Sequence, residues 1–278
     1  MLGVIDVGGG LRGIYGAGVL DYCLDQNIKF DYCIGVSARS ANVISYAAKQ
    51  RGRNYHYFLE YSFRKQYMSL ENFLHKGSYL DMDYIYSTLY NADGERPLDY
   101  SAVISSGIPL RIVATSAKTG KTVYFTDKDL QQDCYDVIKA SCSIPIVNRP
   151  YIINGEPYYD GGISDPIPIE KAMNDGCERL VVILTKPNAL YRDSIRGKLF
   201  SYFIQKEFPK IAELVRHRNA LYMIKLKIAM KYAKDGRVLI ISPKTIYNMS
   251  MLQKDKTILQ NLYNDAIYDA RAITEFVC

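Results

Sequence analysis

Two short apolar runs near the N-terminus each end in a tight turn that opens into a helical pattern. Leu2–Val7 ("LGVIDV") runs into Gly8-Gly9-Gly10, and Phe30–Val36 ("FDYCIGV") runs into Ser37. A strand–turn–helix unit repeated in this way restricts the chain to an α/β architecture, because a strand that is apolar along its whole length must be covered on both faces. Further runs at Pro109–Ala117, Lys121–Thr126, Arg179–Thr185 and Gly236–Pro243 read as strands. Helical patterns fill the segment up to Gly52, much of 54–107, about 129–140, much of 195–233 and 250–276. The segment between 140 and 169 reads as irregular. The expectation is a three-layer α/β/α sandwich around a mostly parallel sheet, a single domain over residues 1–278 with a helix-rich C-terminal part from about 195. Sites in such sheets form at the carboxyl ends of the strands, where both turns fall.

The 278 residues are 48% hydrophobic and 23% charged, an ordinary globular balance without low-complexity tracts. The N-terminus lacks the basic flank and long apolar core of a signal peptide. No window approaches the roughly 18 apolar residues of a spanning helix. Six scattered cysteines without CxxC spacing and three isolated histidines point to reduced thiols in a cytoplasmic protein and to no metal site. The net charge of +6 is uneven: residues 186–237 carry 13 Lys and Arg against 4 Asp and Glu. Interleaved with aromatic residues, that region reads either as a solvated basic helix face or as a peripheral contact with anionic lipid. No nucleic-acid recognition motif accompanies it.

Three stretches can carry chemistry. In "GGGLRG", Gly8, Gly9, Gly10, Arg12 and Gly13 satisfy the dinucleotide fingerprint G-x-G-x-x-G, with Asp31 near the place of a ribose-binding acid. The same loop also offers backbone N–H groups to a tetrahedral oxyanion, or is simply a turn that needs glycine. In "GVSAR", Gly35 and Ser37 match a nucleophile turn G-x-S-x-G, but Arg39 stands where the second glycine belongs. An N-capping serine is the plainer role. In "DGG", Asp160 precedes Gly161 and Gly162, as an ordinary turn or as a carboxylate that takes a serine's proton. A histidine triad through His217 fits poorly, since that residue lies between two arginines in a helical pattern.

In this order, "GGGLRG", "GVSAR" and "DGG" resemble the motifs of the patatin-like phospholipase family, and the likeness continues through "GVLDYCLD", "ASCSIP" and "INGEPYYDGGISDPIPI". The resemblance implies a serine lipid acyl hydrolase of the phospholipase A, lysophospholipase or carboxylesterase kind. Ser37 would be its nucleophile and Asp160 its base. The amides of Gly8, Gly9 and Gly10 would form the oxyanion hole, with Arg12 fixing the loop. It implies a lipid or ester substrate, and neither cofactor nor metal.

Arg39 departs from the pattern. A long side chain at that point is expected to turn outward or to push the helix from its strand. A displacement of about 1 Å at a reacting centre can cost on the order of a hundredfold in rate. The alternative to an active hydrolase is therefore an impaired, lipid-binding relative; a dinucleotide-binding module is a further one.

Overall fold

The computed structural model describes residues 1–187 and 201–278. Eight strands form one mixed sheet: β1 (Leu2–Asp6), β2 (Tyr32–Val36), β3 (Leu110–Ser116), β4 (Thr122–Thr126), β5 (Tyr151–Ile153), β6 (Glu156–Asp160), β7 (Arg179–Ile183) and β8 (Val238–Ile241). Strands β3-β2-β1-β7-β8 lie side by side and parallel. β4 pairs antiparallel with β3, β6 antiparallel with β3, and β5 antiparallel with β6.

Alternate residues of the parallel strands feed two cores, which gives the three layers. Val4, Cys33, Ile112, Val181 and Ile183 face one side, covered by α1 (Ile14–Asp25), α2 (Arg39–Ala47), α3 (Arg53–Leu59), α6 (Asp136–Cys142) and α9 (Lys256–Asp269). Ile5, Ile34, Val113 and Val182 face the other, covered by α7 (Ile169–Asn174) and the long α8 (Pro209–Lys234). Two short helices, α4 (Leu70–Lys76) and α5 (Tyr100–Ser105), precede β3, and α10 (Arg271–Val277) follows α9.

Departures from expectation have local causes. The helix expected at about 129–140 starts later, at Asp136. Residues 127–129 instead form a 3-10 turn closed by a capping box between Thr126 and Asp129. The helical stretch expected over 54–107 is broken into α3, α4, a π turn at Tyr84–Thr88 and α5. The "irregular" segment contains the β5–β6 hairpin, closed by Asn154-Gly155, both at positive φ. The helix expected from 195 is described only from 201 onward; residues 188–200, which include part of the basic aromatic stretch, lie outside the described residues. Among the described residues no helix is long and apolar enough to cross a membrane.

The sheet has one unusual join. β2 pairs with β3 up to Val36↔Val113, and β6 pairs with β3 from Ala114↔Asp160 onward. β4 holds the opposite edge of β3 at both rows, Val113↔Tyr124 and Ala114↔Val123. β2 and β6 therefore share one edge of β3, end to end and running toward each other. The residue that leaves β2 is Ser37, and the residue that ends β6 is Asp160.

Candidate active site

Ser37 sits in the turn between β2 and α2 with φ +63°. That left-handed conformation costs a residue with a side chain on the order of 1–2 kcal/mol, so its surroundings must hold it. The Ser37 N–H donates to Ser141 Oγ at 3.0 Å, and the Ser141 hydroxyl donates to the Val113 carbonyl at 2.6 Å. α2 approaches its strand closely because Gly35 has no side chain: a Cβ there would lie 2.5 Å from Ser40 Cα. The close packing this turn needs is therefore supplied by the first glycine of the motif.

Asp160 is buried, and its carboxylate accepts hydrogen bonds from the Ser37 hydroxyl and from the Gly162 N–H, the latter at 2.7 Å. Its backbone is pinned on both sides: its N–H donates to the Ser143 carbonyl at 2.8 Å, and Thr115 Oγ1 donates to its carbonyl at 2.9 Å. Gly161 lets the chain cross β3, since a Cβ there would lie 2.3 Å from the Val113 carbonyl oxygen. Burial raises the Asp160 pKa above its usual 3.8, and the Ser37 hydroxyl, the Gly162 amide and the charges of Arg218 and Arg39 pull it part of the way back.

The glycine loop lies against Ser37: a Cβ on Gly8 would stand 3.3 Å from Ser37 Cβ. Among the described residues the amides of Gly8, Gly9 and Gly10 make no backbone hydrogen bond, whereas the flanking Val7 and Leu11 amides donate to Ile183 and Met251. Thr185 Oγ1 donates to the Gly8 carbonyl at 2.9 Å, and Arg12 Nε to the Gly9 carbonyl at 3.4 Å. Gly10 has φ +60°, and a Cβ there would lie 2.2 Å from the Met251 carbonyl oxygen.

Arg39 neither turns outward nor displaces the helix. Its side chain is completely buried beneath the glycine loop, where Nη1 donates to the Gly10 carbonyl at 2.7 Å. Gly13 makes the slot, because a Cβ there would lie 2.2 Å from Nη1. Asp6, the last residue of β1, is equally buried and accepts from Asn42 Nδ2 at 2.8 Å; the same amide donates to the Gly13 carbonyl at 3.0 Å. Burial pushes the Asp6 carboxyl up to about 7, and the charge of Arg39 acts against that rise. Burial lowers Arg39 to about 10, so it remains charged at neutral pH. The expectation of an outward or obstructing arginine is thus corrected: the absent glycine is replaced by a buried cation tied to the loop and set near a buried carboxyl.

Two cavities meet at Ser37. The first, of about 130 Å³, lies over the carboxyl ends of β1, β2 and β7 and is lined by Gly8, Gly9, Gly10, Ser37, Asp160 and Gly162, with Arg12, Lys186, Arg218 and Tyr222 among its other walls. The second, of about 30 Å³, is apolar: Ala38, Phe58, Tyr67, Met82, Tyr86 and Leu252 line it with Ser37. Asp31 belongs to neither. It precedes β2 at the other end of the sheet, accepting from the Leu2 N–H at 2.8 Å, which removes the ribose-binding acid from the dinucleotide reading. His217, exposed on α8, lines a separate groove with Thr119 and Leu214. Among the described residues no group of three or more His, Cys, Asp or Glu is arranged to hold a metal ion.

Residues 7–173, which include every one of these motifs, match the family model for patatin-like phospholipase. The chain belongs to the patatin-like phospholipase family. Membership places this patatin-like protein among the lipid acyl hydrolases, with lipid or ester substrates. It is 28% identical over 251 residues to "Uncharacterized protein YjjU" of Escherichia coli (strain K12), covering 88% of this chain and 69% of that one. The crystal structure of VipD from Legionella pneumophila aligns over 97% of the patatin-like chain with a TM-score of 0.46 and 13% identity; the alignment spans 66% of the VipD chain.

Sequence reasoning missed Ser141, Thr185, Lys186 and Arg218 as parts of the site, and Asp6 and Asn42 as the partners beneath it. "ASCSIP" carries Ser141 within the family likeness, but no pattern marks it as the acceptor for the Ser37 amide. Thr185 and Lys186 follow a buried strand, at the end where sites form.

Proposed function

We propose that the protein is an acyl hydrolase of lipid esters that works through a Ser37–Asp160 dyad. The observation that carries this is the hydrogen bond from the Ser37 hydroxyl to a buried carboxylate, with Ser37 held in a strained turn against the glycine loop. Asp160 takes the hydroxyl proton as Ser37 Oγ attacks the ester carbonyl. The amides of Gly8, Gly9 and Gly10 receive the negative oxygen of the tetrahedral intermediate, while Arg12 and Thr185 hold that loop by its carbonyls. Collapse expels the alcohol or lysolipid, which takes the proton from Asp160. Water, deprotonated in turn by Asp160, then attacks acyl-Ser37, and the free acid leaves as the Ser37 hydroxyl is restored.

The apolar pocket supports an acyl chain lying on one side of Ser37. Beside it, α4 buries none of its side chains and exposes Leu70, Phe73 and Leu74; Leu252 lines both the pocket and the groove next to α4. This apolar patch and the basic region 186–237 are the surfaces we assign to contact with a lipid interface. Against the impaired, non-catalytic reading stands the course of Arg39, which runs beneath the loop and lines neither cavity.

Intact mass after exposure to a fluorophosphonate tests the core of the proposal without requiring the natural lipid. One adduct, mapped to Ser37, is expected. An unmodified protein, or an adduct on another serine, would reject the assignment.

The pH profile gives a second check. Asp160 acts only when ionised, and burial holds its pKa above 3.8. On acidification kcat/KM for a neutral ester is expected to fall through that raised value, so the acid limb sits above the ordinary carboxylate range. A rate that stays flat down to about pH 4 would remove Asp160 as the base.

A further inference from the structure

We propose that the cavity above the dyad contains an anion subsite, built by Arg12, Lys186 and Arg218, that receives the phosphate of a lipid headgroup attached close to the scissile ester. The inference rests on the hydrolase reading above and names the class of substrate for that site.

The three cations come from three separate segments: the turn after β1, the end of β7 and the middle of α8. Among the described residues lining the cavity, Asp160 is the one acid. Its carboxylate is already engaged by the Ser37 hydroxyl and the Gly162 amide. The wall therefore carries an excess of positive charge in a partly enclosed space, where charges are screened less than on an open surface.

The arrangement is costly without an anion. Burial, and then the neighbouring charges of Arg12 and Arg218, draw the Lys186 ammonium down to about 7. Its stem is held in place, with Nζ 3.9 Å from the centre of the Tyr222 ring. A phosphate oxygen placed among the three groups offsets their mutual repulsion, and two of them are guanidinium groups whose forked donors suit phosphate.

Position makes the anion a headgroup. The cationic wall and the glycine loop belong to the same cavity, while the apolar pocket that also meets Ser37 has no charged side chain among its described lining residues. An ester carbonyl over Gly8–Gly10 thus has an apolar place for its acyl chain and a cationic place for its alcohol portion. A lysophospholipid whose phosphate lies a few bonds from the ester satisfies both; a neutral glyceride satisfies only the first.

The test is binding of three compounds to the full chain by calorimetry: 1-O-octylglycerol 3-phosphate, 1-O-octylglycerol and inorganic phosphate. Ether linkages keep the ligands intact, and Ser37→Ala serves as the host in a parallel set. The phosphorylated ether is expected to bind at least tenfold more tightly than the neutral one. That preference should shrink to about threefold or less in Arg218→Gln and in Lys186→Gln, each checked for an unchanged melting temperature; Arg218 is exposed, so its variant keeps the fold.

Equal binding of the two ethers would overturn the subsite, as would a preference that survives both substitutions. Inorganic phosphate binding as tightly as the phosphorylated ether would reduce the site to a free-anion site and defeat the headgroup assignment. In a hydrolysis arm, the ratio of kcat/KM for 1-octanoylglycerol 3-phosphate over 1-octanoylglycerol should fall at least tenfold in the same variants. A failure of the dyad has a different signature: neither ester is cleaved and Ser37 takes no fluorophosphonate, while the binding preference persists.

Discussion

Ser37→Ala and Asp160→Asn are each expected to lower kcat for ester hydrolysis by roughly four orders of magnitude or more, and the double variant to be little worse than either single one. Groups that act as one unit lose their whole contribution when one member goes, and the remaining acceleration comes from the oxyanion donors and from binding. Asparagine at 160 can still accept from the Gly162 N–H but cannot take the Ser37 proton, so its effect isolates the base from the scaffold. His217→Ala serves as the control and should stay within about twofold of the native rate, because His217 is exposed on α8 in a groove separate from the dyad. Steady-state kinetics on a nitrophenyl ester decides the matter. An Asp160→Asn rate within tenfold of native would end the dyad, and a large loss in His217→Ala would return the histidine triad.

Arg39→Gly, which would restore the family's G-x-S-x-G letters, is expected to weaken the protein by about 3–5 kcal/mol, the usual cost of removing one member of a buried charge pair. Three losses combine. The Gly10 carbonyl loses the Nη1 donor at 2.7 Å, a completely buried side chain leaves a void, and Asp6 is left without the cation that opposes its neutralisation. The deficit should also widen with pH. A folded Asp6 near 7 already binds its proton more tightly than an unfolded one near 3.8, so stability from this group falls as pH rises through that window. Without Arg39 the folded value moves higher and the loss continues to higher pH; urea melts at pH 5 and pH 8 should show the larger difference at pH 8. Asp6→Asn should cost less in the Arg39→Gly background than alone, where it strands a buried arginine. Reactivity toward the fluorophosphonate is expected to fall about tenfold, because the oxyanion loop is loosened. A glycine variant as stable as the native chain, or more reactive, would mean that Arg39 is the defect its sequence position suggested.

The parallel strands were legible because buried strands are written as continuous apolar runs: β1, β2, β3, β7 and β8 fall within a residue or two of where those runs stand. The β5–β6 hairpin was not read, although Asn154-Gly155 is a strong two-residue turn signal. Pro157 and Glu156 break the apolar alternation that would have marked its second strand. The three motifs could be found because each is local and glycine-dependent. Arg39 was misread for the opposite reason. A sequence shows that a side chain is long and charged, but the slot that receives it is made by Gly13, 26 residues earlier, and by Asp6 on another strand. Arg218 was visible only as one charge in a basic helix, and nothing local distinguishes the turn that faces a cavity from the turns that face water.

The end-to-end meeting of β2 and β6 on one edge of β3 also sets an order of events during synthesis. The glycine loop and Ser37 leave the ribosome first, and Asp160 follows about 120 residues later. At common translation speeds that interval is on the order of 6–25 seconds. Throughout it the serine has no base, because β6 has not yet been made and β3 has nothing to pair with beyond the end of β2. The last strand onto that edge completes the catalytic pair, so a nascent or truncated chain that has made its nucleophile still has no means to cut the membranes of the cell producing it.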